Sequence, residues 1–392
     1  MCAMLNKGFK FEIFPSEEQK ELIWKTIGCN RLVWNLCLNK CIGDYQSEGK
    51  YNSAFDLDKQ VTKWKNSKKY KFLNEVDSKS FQITTDNLCK AFKALSTGIR
   101  KFPRRHTKYS GKQSYTTSFT NTTSGGNIKV SYKEGWIQLP ILKKIKASLS
   151  RKFIGQIKRA TVSYEGNRYL VSLQVEVKSP KKLPKTTQCC GIDLGVKDFA
   201  TVFSLEKIDG KHCSKVENPK HLSKSKNRLN KLQKNLSRKK KGSNNYAKAK
   251  AKLNKKHTKV RNQRKDFLHK LSKSLVDENQ VICIEDLQVQ KMIQEAPSKV
   301  RDSISDVGFR MFRTMLEYKS EWYGRTLVIV PTNYPSSQLC WKCGEKNPEV
   351  KDLNVRSWIC PHCGCKHNRD KNAARNILTK GLRILNEQDT AA

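Results

Sequence analysis

Gly191-Ile192-Asp193-Leu194-Gly195-Val196, followed by Ala200-Thr201-Val202-Phe203, is the stretch whose reading decides the fold. Two short apolar runs with a turn between them predict a buried hairpin. Asp193 is the exception within it, because a carboxylate amid buried strand residues is costly unless it is paired or binds a cation. Two other acids have related settings. The apolar run Val281-Ile282-Cys283-Ile284 predicts a central strand, and Glu285 ends it. Asp370 opens a helix predicted over about 371–384, and a further helix over about 304–323 precedes a buried strand at 327–330. Strands alternating with helices make the second half α/β.

Taken singly, each acid reads as a strand-end residue or a helix cap. Taken together on a basic α/β domain, Asp193, Glu285 and Asp370 predict a two-metal nuclease site. In such a site two Mg²⁺ ions, about 4 Å apart, act on the attacking and leaving oxygens of a phosphodiester. The spacings, 92 and 85 residues, mean that only the fold can bring the three together. Asp198, Asp286 and Asp306 are neighbouring acids in less apolar contexts and rank lower.

Immediately before Asp370 lies a second signal. Cys340-x2-Cys343 and Cys360-x2-Cys363 have the spacing of two zinc knuckles, with Gly344 and Gly364 where each must turn. Four thiolates close the coordination sphere, so one structural Zn²⁺ is expected rather than a catalytic one. His362, Cys365 and His367 are alternative ligands. The remaining cysteines, Cys2 among them, are scattered and read as small buried hydrophobes.

Seventy-eight Lys and Arg face 35 Asp and Glu, a formal charge of +43 over 392 residues, enough chain for two or three domains. So lopsided a sign implies a polyanionic partner and leaves open ribosome binding, nucleic-acid enzymology or a membrane surface. The last is weakest, because no apolar run approaches the length of a membrane span. From Lys220 to Lys265 there are nineteen basic residues and no acid. Leu229, Leu232 and Leu236, then Tyr246, Leu253, Val260 and Phe267, give two apolar stripes. A basic helical hairpin turning near 242–245 follows. Such a face binds phosphates without reading bases. Trp24, Trp34, Phe102, Tyr109, Tyr115 and Trp136 include candidates for base stacking, or are ordinary core.

In the first half, Phe9 to Phe14 alternates as a strand, and Ser16-x-x-Gln19 offers a capping box for a helix presenting Leu22, Ile23, Ile27, Trp34 and Leu38. Helical character resumes over about 79–95. A loop then carries Pro103, Gly111 and the polar run Thr116 to Asn127, and short alternating segments over 128–178 predict a small barrel or sheet.

Nearly end to end, these residues resemble the TnpB family, the small RNA-guided nucleases of bacterial insertion sequences related to type V CRISPR effectors. The resemblance is carried by Phe11-Glu12-Ile13-Phe14-Pro15 with Gln19, Gly28-Cys29-Asn30-Arg31, Phe102-Pro103-Arg104, Gly191 to Asp198 and Leu236 to Ser243. It continues through Asp266 to Leu271, Ile284-Glu285-Asp286-Leu287, Tyr334-Pro335-Ser336-Ser337, both knuckles, and Arg369-Asp370-x-Asn372-Ala373-Ala374-x-Asn376-Ile377. It implies an α+β and α/β multidomain chain. Residues 1–183 would form a wedge β-barrel with a helical recognition insert at about 16–115, and 184–335 an RNase H-like (RuvC) core including a basic hairpin at 220–275. A zinc ribbon would span 336–367 and a last RuvC segment and tail 368–392.

The resemblance further implies a Mg²⁺-dependent endonuclease with Asp193, Glu285 and Asp370 as metal-binding catalytic acids. Its partners would be guide RNA from the transposon end and a double-stranded DNA target, in the bacterial cytosol, with oligomeric state left open. Arg238, Lys239, Lys240, Lys241, Lys255, Lys256, Arg261 and Arg264 would hold nucleic acid, and Gln82, Thr120 and Asn121 would read a short motif beside the target, as amides pair with adenine edges. One departure stands two residues before Asp370, where Asn368 replaces the acid of many relatives. Other readings are a catalytically silent RNA-guided regulator, which should lose one of the acids, and a non-guided basic zinc protein, which would need neither Asp193 nor Asp370.

Overall fold

The computed structural model describes residues 4–49, 51–108, 113–121, 125–208, 210–352 and 354–390. Cys2, Tyr109 and Gly111, singled out above, lie outside them. The chain divides into two compact units, 1–179 and 180–392.

The first unit is built on β1 (Met4–Phe14), whose inward residues Phe11 and Ile13 are almost fully buried. Ser16 then caps α1 (Glu17–Glu48). Its hydroxyl accepts from the Gln19 N–H at 3.3 Å, and the Gln19 side chain accepts from the Ser16 N–H at 3.0 Å, the reciprocal capping box expected from sequence. One stripe of α1, with Val33, Cys37 and Leu38, packs with α2 (Ala54–Asn66), a 3₁₀ segment at 68–75 and α3 (Ser78–Ser96) around Leu57, Leu73, Phe81 and Leu88. The chain returns to the sheet as β2 (Gln113–Ser118), β3 (Lys129–Ser131), β4 (Trp136–Leu139), β5 (Lys143–Ser148), β6 (Gln156–Glu165) and β7 (Arg168–Lys178). Gly166 and Asn167, both left-handed, form the two-residue turn that joins β6 to β7.

All ladders in this sheet are antiparallel, in the order β2-β6-β7-β1-β5-β4-β3. Among the described residues the sheet is open, with β2 and β3 at its edges, so no closed barrel is found. Thr116 to Ser118, expected in a loop, belong to β2, because Tyr115 and Thr117 alternate inward into the core.

The second unit carries a five-stranded sheet of β8 (Cys189–Leu194), β9 (Asp198–Ile208), β10 (Lys211–Glu217), β11 (Val281–Glu285) and β12 (Thr326–Val330), in the order β10-β9-β8-β11-β12. The first three strands form an antiparallel meander, while β11 and β12 join parallel. Strand alternation sorts the residues. Cys190, Ile192, Ile282 and Ile284 face a core built with α5 (Asn244–Glu278) and α8 (Phe309–Tyr323), each contributing about 2 kcal/mol of burial. Cys189, Cys283, Val328 and Val330 face the other way and meet Ile377 and Leu378 of α9 (Arg369–Thr390). Residues 220–278 form the basic hairpin from α4 (His221–Ser237) and α5, held by Leu229, Leu236, Leu253 and Val260. Phe267, the last residue of the expected stripe, packs instead against the sheet core.

The single helix expected over 304–323 is divided into α7 (Ser298–Val307) and α8. Gly308 separates them at φ +76°, where a Cβ would also press on Arg264 and Leu268 at 3.3 Å. A short helix, α6 (Val289–Glu295), precedes α7.

α9 lies directly on the backbone of β8. A Cβ on Gly191 would fall on the Ala374 carbonyl oxygen and within 2.6 Å of the Leu378 nitrogen, both backbone atoms that cannot rotate away. Gly191→Ala is therefore expected to cost about 2–3 kcal/mol and lower the melting temperature by several degrees. Gly8→Ala, with nothing within 4 Å of the added carbon, serves as control. Thermal unfolding of both variants checks this, and equal melting would refute the close packing.

Candidate active site and metal centre

Asp193 continues the Cys189–Gly191 face of β8, so it points to the side on which α9 lies. The β8–β11 ladder pairs Ile192 with Ile284, and one step further sets Glu285 beside Asp193 at the carboxyl ends of two parallel strands. Glu285 shares its face with Cys283, over which Gly381 of α9 passes so closely that a Cβ there would strike the sulfur. On α9, Asp370 stands one turn before Ala374, whose carbonyl touches Gly191. The three sequence-predicted acids therefore gather over one end of the sheet.

Electrostatics registers the gathering. Burial, then the charges of Asp370 and Glu285, push the Asp193 carboxyl up to about 8, and burial pushes Glu285 up to about 7. The three carboxylates do not close to within 4.8 Å of one another. Among the described residues, that spacing is reached by the cysteine set. A cation from the chain lies among the acids instead. Lys215 of β10 places its Nζ 2.9 Å from Asp198 and 3.5 Å from Asp370, and Arg356 stands 3.8 Å from the other Asp370 oxygen. Neither cation was singled out from the sequence, and Lys215 sits in an unremarkable polar strand with no motif around it.

The helix carrying Asp370 is anchored by residues of its own motif. Asn368 accepts from the Lys371 N–H at 3.2 Å, so the residue that departs from the acidic pattern caps α9. The buried amides of Asn372 and Asn376 both donate to the Leu339 carbonyl at 2.7 Å, and Asn376 also donates to Ser336 at 2.8 Å. Arg369 donates to the carbonyls of Asp352 and Val355. The Arg369-to-Asn376 motif thus ties α9 to the knuckle segment on one side while Asp370 faces β8 on the other.

Cys340, Cys343, Cys360 and Cys363 have sulfurs all within 4.8 Å of one another, with Cys340–Cys363 and Cys343–Cys360 at 3.6 Å. Tetrahedral thiolates about 2.3 Å from an ion stand about 3.8 Å apart, so the set fits a metal such as zinc. Gly344 and Gly364 turn at φ +81° and +68°. The N–H of Cys363, with that of His362, draws the Cys360 thiol down to about 7. β13 (Ser357–Ile359) and β14 (Lys366–Asn368) frame the second knuckle. His367 lies outside the set but puts Nε2 3.1 Å from the Cys340 sulfur, and Cys365 points to the Lys366 carbonyl.

Of the other candidates, Asp306 is bound by Arg264 at 2.5 Å and by the Leu222 N–H at 2.8 Å, and Asp286 pairs with Arg313. Arg264 is therefore engaged inside the unit rather than presented on the basic face. Arg238, Lys239, Lys240 and Lys241 are exposed where α4 passes to α5, and Lys255, Lys256 and Arg261 lie along α5. Gln82 and Asn121 are exposed, and Thr120 is half-buried and bonded to Asn127. Trp34 stacks on His106 at 4.3 Å and Tyr115 is core, whereas Trp24 and Phe102 are exposed. Cys29, Cys37, Cys41, Cys189, Cys190 and Cys283 are buried, as expected of structural thiols. No helix among the described residues is long and apolar enough to cross a membrane.

A basic chain with an acid cluster on a mixed sheet and a four-thiolate clip defines a class of nucleic-acid-processing proteins, and comparison with known proteins narrows it. Residues 172–296 match the OrfB family of IS605-type elements, described as "Probable transposase". Residues 309–377 match "Cas12f1-like, TNB domain", and residues 1–50 match "Helix-turn-helix domain", here one strand and one long helix. A Streptomyces pristinaespiralis protein named "Putative RNA-guided DNA endonuclease" is 36% identical over 97% of this chain and 91% of its own length. The Escherichia coli protein InsQ, named likewise, is 29% identical over 97% and 93%. The chain belongs to the TnpB (OrfB, IS605-type) family. Among solved structures, a Cas12f1–sgRNA–target DNA complex aligns with TM-score 0.61 at 13% identity, over 95% of this chain and 98% of that one, and shows a shared mixed α/β multidomain fold.

Two outcomes test the site. Cys343→Ser should lower zinc content below one ion per chain by elemental analysis of purified protein, and unchanged stoichiometry would count against the clip. The second concerns protonation. An acid whose pKa is raised on folding from 3.8 to about 8 favours the folded state when protonated. The contribution of this carboxyl to the stability of the metal-free protein is thus fully present below about pH 4 and is lost as pH rises towards 8. Asp193→Asn cannot ionise, so in EDTA its melting temperature should gain on wild type by several degrees between pH 5 and pH 8. A constant difference would show that Asp193 is not held in a charge-averse setting.

Proposed function

We propose that this chain is an RNA-guided DNA endonuclease of an insertion sequence, cutting target DNA beside a short adjacent motif and so helping the element persist. The observation that carries the reading is the convergence of Asp193, Glu285 and Asp370 over the carboxyl ends of β8 and β11. Supporting it, three antiparallel strands followed by two parallel ones suit the RNase H-type (RuvC) core proposed for this unit. The names carried by the full-length relatives agree.

Three facing carboxylates, two of them pushed up by burial, fit divalent cations, because added positive charge relieves both their mutual repulsion and their desolvation. A pair of Mg²⁺ ions held there would supply Lewis acidity to the attacking and leaving oxygens of phosphodiester hydrolysis. The chain's own part is positional. β8 and β11 hold two acids in fixed register, and the clip, with one zinc, anchors α9 so that the third stays over them. The basic hairpin would bind backbone phosphates independently of sequence through Arg238 to Lys241, Lys255, Lys256 and Arg261. Residues 1–183 would act as the wedge and recognition region, with Gln82, Thr120 and Asn121 facing the adjacent motif. Guide RNA from the transposon end would pair with the target strand.

The test is plasmid cleavage by protein purified with its co-expressed flanking RNA, in Mg²⁺ and in EDTA. Wild type should cut only with Mg²⁺ and the matching target, and Asp193→Ala should lose activity by at least about 10²-fold. Equal cutting by both would overturn the active site, and cutting without RNA would overturn guidance.

A further inference from the structure

The sheet register places a cation in line with the acids. Lys215 on β10 pairs with Thr201 on β9, which pairs with Asp193 on β8. Paired residues share a face, so the Lys215 ammonium reaches the side on which Asp193 points and α9 lies. There it is divided between two carboxylates, 2.9 Å from Asp198 Oδ2 and 3.5 Å from Asp370 Oδ2. Asp198 is three residues past Gly195, whose N–H is bonded to the Phe199 carbonyl at 3.1 Å, so the turn holding it is closed. Arg356 is farther from Asp370, at 3.8 Å, and more exposed, and is screened accordingly.

We propose that Asp198 and Lys215 form a tuning pair for the metal site, in which Asp198 draws the ammonium away from Asp370 and thereby sets the site's affinity for divalent cations. This rests on the reading of Asp193, Glu285 and Asp370 as the metal site. A lysine beside Asp370 competes with an incoming dication for the same oxygen and repels it. An aspartate on the far side of that lysine weakens the competition. Both are positioning residues acting through Asp370. The shorter of its two contacts, 2.9 Å to Asp198 against 3.5 Å to Asp370, makes Asp198 the principal partner of the Lys215 ammonium.

The two members of the pair therefore have opposite effects, which distinguishes tuning from a merely structural ion pair, whose loss from either side acts in the same direction. Mn²⁺ binding to the full chain, free of nucleic acid, is measured by calorimetry, with Asp193→Ala defining the signal from the acid site. Lys215→Met should bind Mn²⁺ about fivefold more tightly than wild type and Asp198→Asn about threefold more weakly. Thermal melting confirms that each is folded, and should Lys215→Met fail to fold, the uncharged polar Lys215→Gln carries the same expectation. Parallel weakening in both, or wild-type affinity in the lysine variants, overturns the pair while leaving the acid site standing. Mn²⁺ binding that Asp193→Ala does not reduce overturns the acid site and the pair together.

Discussion

α9 touches the backbone of β8, and the rest of the second unit is arranged around that contact. It requires a residue without a side chain at Gly191, and at Gly381 where the same helix crosses β11 beside Cys283. Helix and strand then run so close that one turn of α9 and two residues of β8 carry Asp370 and Asp193 towards the same point. Packing of this kind leaves little room for adjustment, because backbone atoms cannot change rotamer to relieve a clash. The remaining anchors of α9 serve that placement. Asn372 and Asn376 bind carbonyls of the knuckle segment, and Arg369 holds the loop at 352–355. A segment with few apolar residues, whose four cysteine sulfurs gather within 4.8 Å of one another, thereby mounts the helix that bears Asp370.

The electrostatic design is uneven by region. Around the sheet end, acids are crowded and partly dehydrated, so Asp193 and Glu285 are hard to ionise without a cation nearby. Along α4 and α5 the reverse holds, with basic residues accumulating on a hairpin whose apolar seam is thin. Neither region is favourable in isolation. On the proposed reading each would become so with a ligand of opposite sign, dications for the first and a phosphate backbone for the second.

Much of the architecture was legible in local pattern. The capping box at Ser16, the apolar strands around Asp193 and Glu285, the seam of the basic hairpin and the cysteine spacing all depend on residues a few positions apart, where periodicity and turn chemistry act directly. Gly308 defeated the helix reading over 304–323 because an apolar stripe runs on past it, and its left-handed backbone is fitted to neighbours in α5. Thr116 and Thr117 looked like loop because the residues are polar, yet β2 pairs with β6 and turns Thr117 inward. Arg264 looked like one more phosphate ligand, and only packing shows its guanidinium bound to Asp306.

By itself the sequence determined which residue types the chemistry has to work with: three acids in apolar or helix-opening settings, four thiolates in two knuckles, and a long stretch of unrelieved positive charge. Those are properties of composition and short spacing, and no folding changes them. Tertiary structure alone decided what the acids share. β8 and β11 lie side by side only through parallel pairing across 92 residues of chain, and Lys215 joins the group only because β10 and β9 carry it onto the same rung as Asp193. Partners set by hydrogen-bonded register and helix docking leave no trace in local periodicity, which is why the acids could be named in advance and the lysine among them could not.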